Sequence, residues 1–494
     1  MDVLELAKRR GFFWQSSAIH GPISGFYDYG HVGTMLKRKW EAAWRRFFLG
    51  LGETFYEISP AVLMPEQVFR ASGHLEHFVD PIVKCRKCGH AMRADHILES
   101  ILKESFEGLP PKEMDALIRK HKITCELCHG QLEEVALVNM TFPVTAGTGK
   151  DARTAYLTPE TAQGAYVNFK QMFEVLRKRL PMGLAVVGKA FRNEIAPRNA
   201  LVRMREFTQA ELQIFFDPET ITAHPRFADV ETARLRLLPA AHRHAVQETT
   251  AQDAVASLGL PPFYVYYLAR IQEFFLQTLG LPPEKFRLKE LAGEEKAFYN
   301  RFHWDIELQL GIGWKEVGGL HYRTDYDLSR HQQVSGQSME VGEGRKFIPH
   351  ILEISMGVDR NIYALLDLCA REEQDRAVLA FPRRLSPFDA AIFPLVRKDG
   401  LPEKAREVQA ALEQAGFSTF YDSTGSIGRM YRRMDEIGGP ACVTIDYDTL
   451  KHQDVTLRDR DSMQQVRVPI ARLPDALRRF LDGGDLGTLG KPLH

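Results

Sequence analysis

Apolar positions first recur at helical spacing in TMLKRKWEAAWRRFFLGLG, where Trp40, Trp44 and Phe47 form one stripe and predict a long amphipathic helix. A short helical pattern and the loop SGFYDYGHVG precede it, and an apolar segment ending in Pro60 or Pro65 follows. A polar stretch bearing Cys and His occupies about 81–150. Short strands with Gly and Pro punctuation run from there to 216, residues 217 to about 300 return to helices, and strands resume with WDIELQLGIGWKEV. One strand running into a helix closes the unit over 349–372.

Beyond a charged linker, REEQDRAV and FPRRLSP, the pattern changes. It reads strand (DAAIFPLV), helix (PEKAREVQAALEQAG), strand (STFYD), helix (IGRMYRRMDEIG), strand (ACVTID), hairpin (VTLRD and VRVPI), helix. Alternation at this spacing predicts a small α/β domain with a mostly parallel sheet. The expected division is therefore 1–380, interrupted by insertions at about 81–150 and 217–300, and 381–494.

At 494 residues, 44% apolar and 26% charged, the chain can bury more than one core. Lys plus Arg equals Asp plus Glu at 64 each, so no global basic field advertises nucleic acid, and any RNA contact must come from local patches. The first turns mix acids and bases without a long apolar run, and no stretch approaches the roughly 20 apolar residues of a membrane span. A cytoplasmic protein with no membrane partner is the expectation. Four of six cysteines form two Cys-x-x-Cys pairs, Cys85/Cys88 and Cys125/Cys128, which suit a tetrahedral, structural Zn²⁺. The 36 residues between the pairs exceed the usual spacing of about 15–20. The alternatives are a mixed site using His90, His121 or His129, or a site that has lost its metal. Cys369 and Cys442 stand alone and read as core residues.

The densest chemistry lies in GKAFRNEIAPRNALVRMREFTQAELQIFF, two strand-like halves joined by a loop. Strand periodicity puts Arg192 and Glu194 on one face of the first half, and Arg203, Arg205, Phe207, Gln209 and Glu211 on one face of the second. Guanidinium forks suit phosphate oxygens and a ring suits adenine. Further on, PHILEISMGVDRNIYALL is a strand with Glu353 and Ser355 on one face, feeding a helix at Gly357.

The first segment resembles motif 2 of the class II aminoacyl-tRNA synthetases and the second resembles motif 3. Residues 34–65 fit motif 1, the dimer-forming helix and Pro-terminated strand. The resemblance implies an antiparallel-sheet catalytic core with helices, a fold of the α/β (α+β) class. It further implies that Arg192 grips the α-phosphate of ATP, Glu194 reads the adenine amino group, Phe207 stacks the base and Arg360 clamps the γ-phosphate. Asn193, Val202, Arg203, Met204, Arg205 and Glu206 complete the motif-2 side of the ATP site, and Gly357, Val358 and Asp359 the motif-3 side. Glu316 and Val317, in GWKEVGG, are assigned by the same resemblance to the end that holds ATP and Mg²⁺.

The phrases SGFYDYG, ASGHLEHFVDP, LTPETAQGAYVNF, MREFTQAELQIFF, RTDYDLSRHQ and GSIGRMYRRMDEIG are similar to those of the homodimeric glycine enzymes of this class. That resemblance aims Glu160, Glu211 and Glu353 at the α-ammonium of glycine, sets Ser355 near its Cα, and adds Arg93, Phe207 and Gln209 to the glycine-binding set. It implies adenylation of glycine followed by transfer to tRNA-Gly, without a protein nucleophile. Glycine offers only charges to recognise, and a pocket walled at Cα rejects alanine by overlap. The C-terminal unit resembles the anticodon-binding domain of the subclass. Arg429, Arg432 and Arg433 on its basic helix, with Arg458 and Arg460 beside the hairpin, are the expected RNA-facing residues. Ile354 stands where Pro is frequent, and GHVG replaces the usual Gly-Pro-x-Gly. The alternatives are a prolyl or threonyl enzyme of the same subclass, or a non-catalytic paralogue that binds nucleic acid.

Overall fold

The computed structural model describes residues 2–493 apart from 105, 107, 196, 198, 298, 299 and 374. Its central element is a nine-stranded sheet. The spatial order is Gln247–Thr250, Arg234–Leu238, Phe286–Glu290, Phe302–Leu310, Gly313–Thr324, His350–Gly357, Glu206–Phe216, Met182–Phe191 and Phe55–Glu57. All neighbours pair antiparallel except Arg234–Leu238 with Phe286–Glu290 and Met182–Phe191 with Phe55–Glu57.

Side-chain alternation gives this sheet two unlike faces. Along Glu206–Phe216, Ala210, Leu212 and Ile214 point into the main core, joined there by residues of the helices His31–Leu49, Pro262–Glu273 and Val358–Cys369. The opposite face keeps Gln209, Glu211 and Gln213, and cross-strand register aligns them with Gly357, Ser355 and Glu353. His321 and Gly319 continue the Glu353 and Ser355 rows onto the next strand. Ile354, paired on both sides and fully buried, leaves this strand regular.

Three expectations change. The helix stripe closes on Phe48 rather than Phe47, because Leu36, Trp40, Trp44 and Phe48 follow the spacing that faces the core; Phe47 is half-buried beside Phe48 and Phe274. Residues 217–300 are not simply helical: Arg234–Leu238, Gln247–Thr250 and Phe286–Glu290 extend the central sheet. The strongly apolar Pro262–Glu273 helix dominated the pattern and masked those short strands. The GHVG segment begins the long helix at His31, and its glycines are required by close packing, since a Cβ on Gly33 would sit 1.9 Å from the carbonyl oxygen of Phe12.

The Cys-bearing insertion has its own small core under the sheet formed by Val79–Lys84, Ala91–Arg93 and Ala136–Asn139. Two helices, Ala94–Leu102 and Pro111–Lys120, occupy the long spacing between the Cys pairs.

In the C-terminal unit Ala390–Pro394 pairs parallel with Thr419–Tyr421 and Ala441–Ile445, as the alternation predicts. The hairpin strands Asp454–Asp459 and Gln465–Pro469, and a short tail strand, add antiparallel and make the sheet mixed. One face packs around its own core, while Ala391, Phe393, Met430, Met434 and Cys442 join the main core. Gly438, at φ +85°, lets Phe381 approach where a Cβ would lie only 2.4 Å away.

This junction corrects the expected RNA surface. Arg458 is buried and donates to Asp435 at 3.0 and 3.3 Å, and Arg376 reaches the same carboxylate at 3.0 Å. Arg460 is buried and donates to the carbonyls of Gly438 and Phe381, each at 2.9 Å. These arginines therefore build the junction: Arg458 is a strand residue inside a packed sheet, and Arg460, just past the strand end, is spent on backbone carbonyls. Arg432 and Arg433 pair with Asp375 and Asp422, leaving Arg429 as the exposed cation of the set. Asp435→Ala, which strands two buried guanidinium groups, is expected to cost about 3–5 kcal/mol in urea unfolding. An unchanged midpoint would show that the cluster is not structural.

Candidate active site

The polar sheet face forms the floor of a cavity of about 870 Å³. Sixteen positions anticipated above line it: Arg93, Glu160, Arg192, Glu194, Val202, Arg203, Met204, Phe207, Gln209, Glu211, Glu316, Glu353, Ser355, Gly357, Asp359 and Arg360. The remaining five do not. Arg205 donates to the carbonyls of Glu194 and Ser24 and so clamps the loop, and Glu206 pairs with Lys189 on the other face of its strand. Asn193 is tied through its backbone to Met140, while Val317 and Val358 are buried apolar residues. Glu206, Val317 and Val358 point away from the cavity, whereas Arg205 lies on the expected strand face and is spent on backbone carbonyls.

Within this cavity three carboxylates converge. Glu211 accepts from Thr161 Oγ1 and Ser355 Oγ, each at 2.7 Å. Burial, reinforced by the charges of Glu353 and Glu160, pushes its carboxyl up to about 8. Glu353 accepts from Arg323 at 3.1 Å and Tyr166 at 3.2 Å; burial raises it, and Arg323 opposes that rise. Glu160 accepts from Gln163 at 2.9 Å and lies 3.6 Å from His74 Nε2. Burial raises Glu160 too, but His74, Arg323 and the Gln163 bond outweigh it and hold this carboxyl well below its ordinary range. The three groups thus have unlike environments: one charged, two pressed toward neutrality in the absence of a cation.

Arg192 donates to the carbonyl of Pro159, the chain neighbour of Glu160, at 3.0 Å and lies between the rings of Phe78 and Phe207, 5.4 and 5.3 Å from their centroids. No ion pair engages it among the described residues. Arg360 is steadied by the carbonyls of Val202 and Glu316 and by the Glu316 carboxylate at 3.2 Å. Arg203 pairs with buried Glu194 at 2.7 Å, while Glu194 Oε1 has no hydrogen-bond partner among the described residues. That orphaned acceptor suits an exocyclic amine on a base stacked at Phe207. Asp359 is fully engaged by Tyr29, Lys37 and the Thr208 N–H, which ties the Val358–Cys369 helix to the long N-terminal helix. Arg93, expected to face the substrate, lines the cavity but is held by Asp80 and Asp95, each at 3.0 Å.

Sequence reasoning missed Arg323, the partner of Glu353 and, bidentately, of Asp327 at 2.7 and 2.9 Å. It lies within RTDYDL, and strand alternation from Gly319 through His321 would have placed it on the cavity face. It also missed His74, His303 and His321, whose relevance depends on contacts between distant segments.

In the insertion the four Sγ atoms of Cys85, Cys88, Cys125 and Cys128 lie within 4.8 Å of one another. Among the described residues no imidazole joins them, and His90 faces Glu126 at 3.2 Å instead. Backbone N–H groups of Cys88 and Lys87 draw the Cys85 thiol down to about 6.

A family model described as an anticodon binding domain matches residues 389–480. A glycine--tRNA ligase of Aeropyrum pernix is 38% identical, covering 99% of this chain and 98% of its own. The corresponding ligases of Pyrococcus furiosus and Thermococcus gammatolerans are 38% and 39% identical, each over 97% of this chain and 98% of theirs. Among solved structures, a prolyl-tRNA synthetase of Cryptosporidium parvum complexed with L-proline and AMP superposes with a TM-score of 0.58. It covers 97% of this chain and 75% of its own at 12% identity, a likeness of fold.

Proposed function

The chain belongs to the glycine--tRNA ligase family, and on that premise we propose that its cavity activates glycine with ATP and passes the glycyl group to tRNA-Gly. The observation that carries this reading is the convergence of Glu160, Glu211 and Glu353 in the cavity that Arg192 also lines. Buried negative charge of that density is relieved by a small cation, and an α-ammonium supplies one. A prolyl enzyme would instead need an apolar side-chain pocket.

The glycine carboxylate attacks the α-phosphorus, the bond to the β-phosphate oxygen breaks, and pyrophosphate leaves. Arg192, with no competing carboxylate among the described residues, meets the α-phosphate charge, and Arg360 meets the outer phosphates. Glu194 takes the adenine amine and Phe207 stacks the ring. A terminal ribose hydroxyl of the tRNA then attacks the glycyl carbonyl and AMP departs. Mg²⁺, when bound, supplies charge neutralisation at the outer phosphates, and the half-exposed Glu316 carboxylate is the hard oxygen donor placed to hold it. No protein group forms a covalent intermediate.

The four-cysteine cluster fits structural Zn²⁺: a tetrahedron of thiolates with Zn–S of about 2.3 Å has sulfurs about 3.8 Å apart, close to the 3.4 and 3.7 Å of Cys85–Cys128 and Cys88–Cys125. One zinc per chain is expected by elemental analysis, and Cys125→Ser should lose it. Retention of a full equivalent by that variant would exclude the site. Dimerisation through the long helix and the segment after it is supported by the exposed apolar Tyr56, Val62 and Leu63. No helix is long and apolar enough to cross a membrane among the described residues, and reduced thiols accord with a cytoplasmic location. Arg429 remains a contact for tRNA. ATP-dependent charging of tRNA-Gly with labelled glycine tests the reading directly; charging with proline or threonine, or none at all, would overturn it.

A further inference from the structure

On the cavity floor Gly319 lies between Asp305 on one neighbouring strand and Ser355 on the other. No side chain rises there. The space is filled from the next row, where His303 and His321 stand directly opposite each other with ring centroids 4.1 Å apart. A Cβ built on Gly319 would meet His321 Nε2 at 2.6 Å and His303 Nε2 at 3.5 Å, so both imidazoles lean over the glycine. Both rings line the cavity.

The pair is anchored from several sides. His321 Nδ1 lies 3.4 Å from the amide nitrogen of Asn300, and its Nε2 is 3.8 Å from Glu353 Oε1. His303 Nε2 lies 3.0 Å from Asp305 Oδ1, and neither of its buried ring nitrogens makes a hydrogen bond among the described residues. The positioning chemistry described above makes no use of either ring.

We infer that the His303–His321 pair is a specificity-determining wall of the amino-acid pocket, filling beside Glu353 the volume that a substrate Cβ would need. This rests on the glycine reading. With the ammonium among the three glutamates and the carboxylate turned toward Arg192, the Cα faces the Gly319 side of the floor. Bare backbone at Gly319 would leave a hollow there, large enough for a methyl group or more. His321 closes it without adding charge opposite the ammonium, because burial, with His303 and Arg323 nearby, holds it neutral. Exclusion of alanine then comes from overlap, the mode of discrimination open to an enzyme for the smallest amino acid.

ATP–pyrophosphate exchange with glycine, alanine and serine, measured on the full chain and on His303→Ala and His321→Ala, reads this wall. The expected result is a rise of the alanine-to-glycine ratio of kcat/KM by about 10-fold or more, with glycine still supporting exchange. His321→Asn, shorter but still polar, serves if His321→Ala does not fold. Gly319→Ala should act conversely, pushing His321 into the pocket and lowering glycine use without admitting alanine. An unchanged ratio in the folded histidine variants overturns the inference while leaving glycine activation intact; failure of the wild-type chain to use glycine overturns the functional reading instead.

Discussion

Arg192→Ala is expected to lower glycine-dependent ATP–pyrophosphate exchange by about 10²- to 10³-fold while leaving thermal unfolding unmoved. The reasoning is comparative. Arg93, Arg203, Arg323 and Arg360 all spend charge on neighbouring carboxylates. Arg192 is instead held by one carbonyl and two aromatic faces, which orient a guanidinium without neutralising it. Such a group meets the charge that grows on the α-phosphate, and its removal lowers kcat and kcat/KM together. A variant that loses activity only by unfolding, or keeps exchange above a tenth of wild type, would place the phosphate contact elsewhere.

Glu211→Gln carries the second large effect, with a pH signature. In the free protein burial and its acidic neighbours bring the Glu211 carboxyl to about 8. Below that pH it is protonated and offers the ammonium no charge, so kcat/KM for glycine should rise with pH through about 8, the free-enzyme profile reporting this group. Gln keeps an acceptor for Thr161 and Ser355 but cannot ionise. It is expected to erase that limb and to lower kcat/KM by about 2–5 kcal/mol of transition-state stabilisation. A Gln variant that retains the wild-type limb would assign it to another group, Glu353 first.

Much of this site could be read from local periodicity. Glu211, Glu353 and Ser355 sit on the faces that strand alternation assigns them, and the two motif strands prove to be neighbours in register. Arg192, Phe207 and Arg360 likewise reach the cavity. What could not be read is which charges are already satisfied. Arg458 and Arg460 resemble exposed basic residues until Asp435 and the Gly438 and Phe381 carbonyls, brought from other segments, close on them. Arg205 points along the expected strand face yet is consumed by backbone carbonyls at 2.7 and 2.9 Å. The short strands within 217–300 pair mainly with one another and with the sheet edge, so their stability depends on long-range contacts that a local window does not contain. His303 and His321 gain meaning only across the strand pair that joins them over Gly319.

The central claim is that this pocket reads an ammonium and forbids a side chain. ATP–pyrophosphate exchange by the wild-type chain, run separately with each of the twenty amino acids, tests it most directly. The structure predicts exchange with glycine and near-background rates with alanine, serine, proline and threonine. Exchange driven by proline or threonine in place of glycine would contradict it.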